Sequence, residues 1–242
     1  MMIYEEQMMR DMQVWQRKMM RRPGLFNKLS KKVQDKINSW IPEKVHKAIT
    51  VTIKQMIRGV LFGAKWTTRN KEPLSLEQAD AAVEEKIKVY RTTAAAEGAV
   101  TGAGGILLGL ADFPILIAIK IKLLFEIASV YGYSVNDYKE RVYILHIFQL
   151  AFSSAQHRRN VFLEMKNWEE KSKSLPEDIN YFNWRSFQQE YRDYIDLAKL
   201  AQLVPLIGAP VGLVVNYRLI RKLGYTAKKA YHMRWGEAQH LI

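Results

Sequence analysis

The residues whose type and setting could do chemistry are three carboxylates and one histidine in apolar surroundings: Glu97, Asp112, Glu126 and His146. A carboxyl group among aliphatic side chains has its charged form disfavoured. Its pKa then rises toward the range useful for acid–base work. Asp112 is the single charge between Glu97 and Lys120. An acidic residue in such an apolar cleft would suit a hydrolase acting on a lipid or a peptide. A structural assignment competes with this one. Asp112, two residues before Pro114, can cap a helix, and Glu126 can pair with Lys122 one turn earlier. The structural assignment is the favoured one, so an enzyme stands second to a non-enzymatic protein.

Other chemistries find little footing. His46, His146, His157, His232 and His240 form no HExxH pattern, so no metal is expected. The run TGAGGILLG holds glycines but lacks the GK[ST] ending of a phosphate loop, and GxGxxG fails at its last glycine. No nucleotide or other cofactor is expected. There is no GxSxG elbow. The chain has no cysteine, which removes thiol nucleophiles and disulfides and suits a reducing compartment.

Helices must position these residues, since no segment alternates cleanly at period two. Tyr4, Met8, Met12, Trp15 and Met19 share one face of a first amphipathic helix, closed by Pro23-Gly24. A second basic segment follows, with Leu25, Leu29 and Val33 opposite Lys28, Lys31 and Lys32. Pro42 suits the first turn of a helix running to about Trp66, with Ile49, Thr52, Ile53, Met56, Val60 and Leu61 on its stripe. Ser75 and Gln78 make a capping box for the next helix, which buries Ala79, Val83, Ile87 and Tyr90. Asn136 can cap a further helix. Residues 155–173 read as a charged, solvated helix, and a polar-aromatic helix begins near Asn183. Gly224 is expected to end a helix, with Thr226 capping a basic last one.

Two apolar stretches rich in glycine and proline lie at the centre of this order: residues 94–133 and 200–225. Gly98/Gly102, Gly105/Gly109 and Gly208/Gly212 repeat the spacing that lets helix backbones approach closely. A break near Gly104-Gly105 and another at Pro114 are expected. Residues 99–119 could cross a bilayer only marginally. A mid-helix Asp costs about 2.5–3.5 kcal/mol, nearly cancelling gains of about 0.3–0.6 for each large apolar residue. A helical hairpin, dipping into lipid or buried in protein, fits better than a crossing. The fold expected is all-α, a multi-helix bundle around this hairpin. The expected organisation is basic amphipathic helices over 1–41 and a helical domain over 42–242.

The formal net charge is +13, and it sits at the ends: residues 1–71 carry a net +11 and residues 204–242 a net +5. Arg17, Lys18, Arg21, Arg22, Lys28, Lys31 and Lys32 are the candidates for meeting an anionic partner. Cations opposite Trp and Leu suit an anionic membrane surface. Nucleic acid is set aside, because no helix-turn-helix, RRM or zinc pattern is present. No secretory signal opens the chain, as Glu5, Glu6, Arg10 and Asp11 interrupt its first apolar residues. A cytoplasmic protein, peripheral on the inner membrane face, is expected.

The series TGAGG…GLADFP…YGY, then VPLIGAPVGLVVNY and AKKAYHMR, resembles the EcsC family over roughly residues 40–242. Its most specific positions here are Gly102, Gly104, Gly105, Gly109, Asp112, Pro114 and Gly132, then Pro205, Gly208, Gly212, Asn216 and Arg234. The family is named for a protein encoded beside the ATPase and membrane subunits of an ABC transporter. The resemblance therefore implies an accessory role near such a transporter and supplies no catalytic residues.

Overall fold

The methionine face of the first helix is a packing face. α1 (Met2–Met20) buries Met8, Met12, Trp15 and Met19, spaced by three or four residues. Against it lies α6 (Arg158–Met165), where Trp15 meets Phe162 edge-on with centroids 5.6 Å apart. The computed structural model describes residues 2–21, 43–62, 74–103, 105–153, 157–187, 189 and 208–239. Within these residues the chain is all-α, with no strands.

α2 (Glu43–Phe62) buries Ile49, Ile53, Met56, Ile57, Val60 and Leu61 against two later helices, α4 (Gly105–Val130) and α5 (Tyr138–Phe152). α3 (Leu76–Ala103) starts at the expected capping box. The Gln78 amide donates to Ser75 Oγ at 3.3 Å, and the Ser75 amide donates to Gln78 Oε1 at 3.0 Å. α4 (Gly105–Val130) folds back along α3. Lys86 and Tyr90 reach Glu126, and Tyr131 reaches Asp80, so the two helices run antiparallel. The expected hairpin therefore exists, with one correction. Pro114 lies inside α4, and Asp112 lies in its body and not at an N-cap. A mid-helix proline costs about 3 kcal/mol. The buried contacts of Phe113, Leu116 and Ile117 around it offset that cost and carry the helix through.

α4 ends at Gly132, as expected. Gly132 has φ +85°, its amide bonds Ser129 O at 3.1 Å, and the Tyr133 amide bonds Ala128 O at 3.0 Å. Asp137, not Asn136, caps α5 (Tyr138–Phe152), accepting from the Lys139 amide at 2.8 Å. α5 is buried on almost every side. The stretch read as one solvated helix is two short ones, α6 and α7 (Trp168–Lys173), broken at Asn167 with φ 55°. Val161, Phe162, Met165 and Trp168 are buried there, which a solvated helix would not allow. The polar-aromatic helix is described only at 184–187 and 189, with Trp184 and Phe187 against the core.

α8 (Gly208–Ala238) runs unbroken through Gly224 and Thr226, against expectation. Its most extensive neighbour is α3. A Cβ at position 224 would sit 2.4 Å from Ile87 Cγ1. The glycine admits the neighbouring helix and does not end its own, and this contact offsets about 1 kcal/mol of lost helix propensity. Gly224→Ala should lower stability by about 1–3 kcal/mol through overpacking. In chemical denaturation, Ile87→Ala in the same chain should cost less than the two single changes summed. Strict additivity would remove Ile87 as the cause.

Candidate functional site

Asp80 of α3 collects donors from across the molecule. Its carboxylate takes Tyr4 Oη from α1 and Tyr131 Oη from the end of α4, each at 2.5 Å. His232 Nε2 of α8 lies 2.8 and 2.9 Å from its two oxygens, and Lys228 Nζ lies 3.4 Å away while bonding Glu84 at 3.0 Å. Burial alone would raise the Asp80 pKa. The hydrogen bonds from His232, Tyr131 and Tyr4 outweigh it and hold the carboxyl at about 2. For His232, burial favours the neutral ring, and Lys229 and Lys228 add to that against the pull of Asp80. The neutral ring donates from Nε2. Its Nδ1 is buried and has no partner among the described residues. A cavity of about 230 Å³ beside this cluster is lined by Tyr4, Asp11, Lys229 and His232.

A second buried cluster is built from α8 residues on either side of His232, Tyr231 and Arg234. Arg234 bonds Glu140 Oε2 at 2.5 Å and Glu169, and it stacks over Tyr133 and Tyr143 at 3.7 and 4.8 Å. Tyr231 Oη donates to the other oxygen of Glu140 at 2.7 Å. Burial raises the Glu140 pKa against the pull of Arg234. These contacts join α5, α7 and α8. The Arg234 position belongs to the motif read from sequence, and the structure gives it a structural task.

A larger cleft, about 520 Å³, opens between α1, α5, α6 and α8. Lys18 of α1, Arg158 of α6 and Lys222 of α8 line it, with Asp11 as the lining carboxylate. Trp15, Met19 and Leu150 form apolar wall. Its lip is half-open to solvent through Val14 and Tyr225, which are 58% and 50% exposed.

Of the four catalytic candidates, the side chains of Glu126 and His146 are described, and each has its own separate partners. Glu126 is held by Lys86 at 2.6 Å and Tyr90 at 2.5 Å, so its partner is α3's Lys86 and not a bond to Lys122. These bonds lower its pKa despite burial, the reverse of a raised general acid. His146 lies edge-on to Trp168 and Phe187, with Nδ1 3.2 Å from Gln149 Oε1, and burial pushes its pKa down to about 4. Neither residue lines the two cavities. Glu97 lies in α3 and Asp112 in α4, and their side chains fall outside the described residues. No cluster that could hold a metal ion occurs among the described residues.

Of the cationic candidates, Arg17, Lys18 and Arg21 are exposed at the end of α1, whereas Arg22, Lys28, Lys31 and Lys32 lie outside the described residues. Gly102 lies in α3; Gly105, Gly109 and Pro114 in α4; Gly208, Gly212 and Asn216 in α8. Gly104 and Pro205 fall outside. The apolar stretches do meet: α4 contacts α8, and the fully buried Lys120 donates to Asn216 Oδ1 at 3.3 Å and to Leu116 O at 3.2 Å. Sequence reading passed over Asp80, His232 and Lys222. Asp80 and His232 are 152 positions apart, and only the antiparallel packing of α3 on α8 joins them.

The EcsC protein family model matches residues 6–235, so the match takes in α1 and begins well ahead of residue 40. The chain belongs to the EcsC family. Protein EcsC of Bacillus subtilis (strain 168) is 45% identical over 222 residues, covering 91% of each chain. An uncharacterized protein of the same strain, YdbA, is 27% identical over 94% of this chain and 91% of its own. No solved structure matches it.

Two predictions follow from the buried charges of this EcsC-family fold. Asp80→Ala leaves four donors facing one gap and should cost about 3–5 kcal/mol in denaturant titration; Asp80→Asn, which keeps an acceptor, should cost less. His146 is neutral in the fold but charges in the unfolded chain below its usual 6.5. Stability should therefore fall as pH drops from about 6.5 toward 4. The neighbouring Glu164 and Lys171 pull the ring's pKa in opposite directions. Because part of the ring still meets solvent, about 3 kcal/mol is the upper figure for this loss. His146→Gln should flatten that part of the pH–stability curve.

Proposed function

We propose that this EcsC-family protein is a non-enzymatic accessory factor. It rests peripherally on the cytoplasmic face of the membrane through the side where α1 meets α8. One observation supports this above others: α1 packs along α8, and the exposed Lys18 of α1 and Lys222 of α8 line one cleft. The end of α1 also exposes Arg17 and Arg21, and α8 exposes Arg218 and Arg221. Exposed apolar residues stand among these cations: Val14 and Met20 on α1, Val214 and Tyr225 on α8. That mixture suits an anionic bilayer surface, where each cation contributes about 1 kcal/mol and aromatic or aliphatic side chains enter the interface. Asp11 is the acidic exception beside the cleft. No helix of the described residues is long and apolar enough to cross a membrane, which agrees with a peripheral mode. A link to an ABC transporter rests on the genetic neighbourhood for which the family is named.

Co-sedimentation with vesicles tests the reading. The protein should pellet with phosphatidylglycerol-rich vesicles at low salt, stay in solution with phosphatidylcholine vesicles, and release as salt rises. Combined Arg17→Glu, Arg21→Glu and Arg221→Glu should weaken binding at least tenfold with an unchanged thermal midpoint. Unchanged binding by that variant, or equal binding to both vesicle types, overturns it.

A further inference from the structure

We propose that the cavity between α1, α3 and α8 binds one small zwitterion, a free amino acid, with its carboxylate on Lys229 and its ammonium on Asp11. This goes beyond the membrane-face reading and does not depend on it. α8 contributes Lys228, Lys229 and His232 to the wall, and α1 contributes Gln7, Met8 and Asp11 across from them. Asp80 closes the cavity from α3 with its four donors in place. Lys228 is shared between Asp80 at 3.4 Å and Glu84 at 3.0 Å. Lys229 has no such partner. It is only 5% exposed, yet its ammonium makes no ion pair with any described residue, and the Tyr225 ring stands 5.8 Å away. A buried ammonium without a counter-charge is costly. Burial accordingly lowers the Lys229 pKa, against the pull of Asp11. An incoming carboxylate supplies the missing counter-charge.

The remainder of the lining decides what else the ligand carries. Its charged groups balance, with Lys228 and Lys229 against Asp11 and Asp80. A plain anion would satisfy Lys229 and meet an uncompensated Asp11. A plain cation would satisfy Asp11 and meet Lys229. A molecule with one charge of each sign satisfies both. Asp11 is exposed on α1 and makes no ion pair with a described residue, and Gln7, one turn before it, offers an amide donor and acceptor. Buried Met8 gives an adaptable apolar wall for the ligand's own side chain. The volume of about 230 Å³ lies below the range of about 300–1,000 Å³ usual for drug-sized ligands, so the guest must be small.

A thermal-shift screen of the full chain with the common L-amino acids, followed by calorimetric titration of the strongest responder, provides the test. At least one amino acid should raise the thermal midpoint saturably. Its amide, which lacks the carboxylate charge, and its N-acetyl derivative, which lacks the ammonium charge, should each bind at least tenfold more weakly. Lys229→Met and Asp11→Asn should each lower the affinity at least tenfold. The midpoint of unliganded Lys229→Met should hold or rise, because the change removes an unpaired buried charge. That of Asp11→Asn, at an exposed position, should not move. No response to any amino acid overturns the proposal. Equal binding of the N-acetyl derivative would leave a plain carboxylate site and overturn the zwitterion. Tighter binding of phosphoethanolamine than of every amino acid would assign the cavity to a lipid-type headgroup and overturn it too. Parent-like affinity in either variant would place the ligand elsewhere, and a lowered midpoint in unliganded Lys229→Met would make that ammonium a structural group; each sinks the site.

Discussion

A buried carboxylate is tolerated only when its oxygens are satisfied, and Asp80 is satisfied by four different side chains. Tyr4, Tyr131, Lys228 and His232 come from two helices, α1 and α8, and the turn after α4, and each must be in register for the set to close. α1 cannot slide along α8 without withdrawing Tyr4, and α3 cannot rotate without turning Asp80 out of the cluster. The hairpin of α3 and α4 is tied at its open end by the same carboxylate, through Tyr131. One charge thus sets the relative positions of the elements that hold most of the apolar core.

The Arg234 cluster does similar work for the other half. Its guanidinium is sandwiched between tyrosine rings and two carboxylates, tying α8 to α5 and to α7. The two clusters are two residues apart on α8 and share the ring stack of Tyr131, Tyr133 and Tyr231. Between them, the buried charges specify which helices meet, while the aliphatic surface supplies the driving force. The cleft between α1, α5, α6 and α8 is a consequence of this frame. Its walls belong to α1, α5, α6 and α8, and α1 stays at its post because Tyr4 reaches Asp80.

Much of the helix layout was legible from local signals. The Ser75–Gln78 box, the stop at Gly132 and the methionine face of α1 were all readable, because each depends on residues within a turn or two of one another. The failures share a different cause. Asp112-Phe113-Pro114 carries every local mark of a helix start, and Gly224 those of a helix stop. Both positions lie inside long helices, because tertiary packing there outweighs a penalty of one to a few kcal/mol. Asn136 and Asp137 were both able to cap, and local chemistry could not choose between neighbours. The candidate site was less legible still. His146 was visible as a histidine in an apolar run, but its neutral, packed state depends on Trp168 and Phe187, which come from later segments.

The sequence by itself determined that this protein is helical, basic at its ends and rich in close-packing glycines, because periodicity and composition are properties of neighbours along the chain. It also carried the motif by which the family is recognised. Only the tertiary structure decided that α1 lies along α8, that Asp80 faces His232, and that Lys18, Arg158 and Lys222 share one cleft. Those relations join residues from tens to hundreds of positions apart. They follow from the angle and register at which helices pack, which a one-dimensional pattern of polarity does not encode.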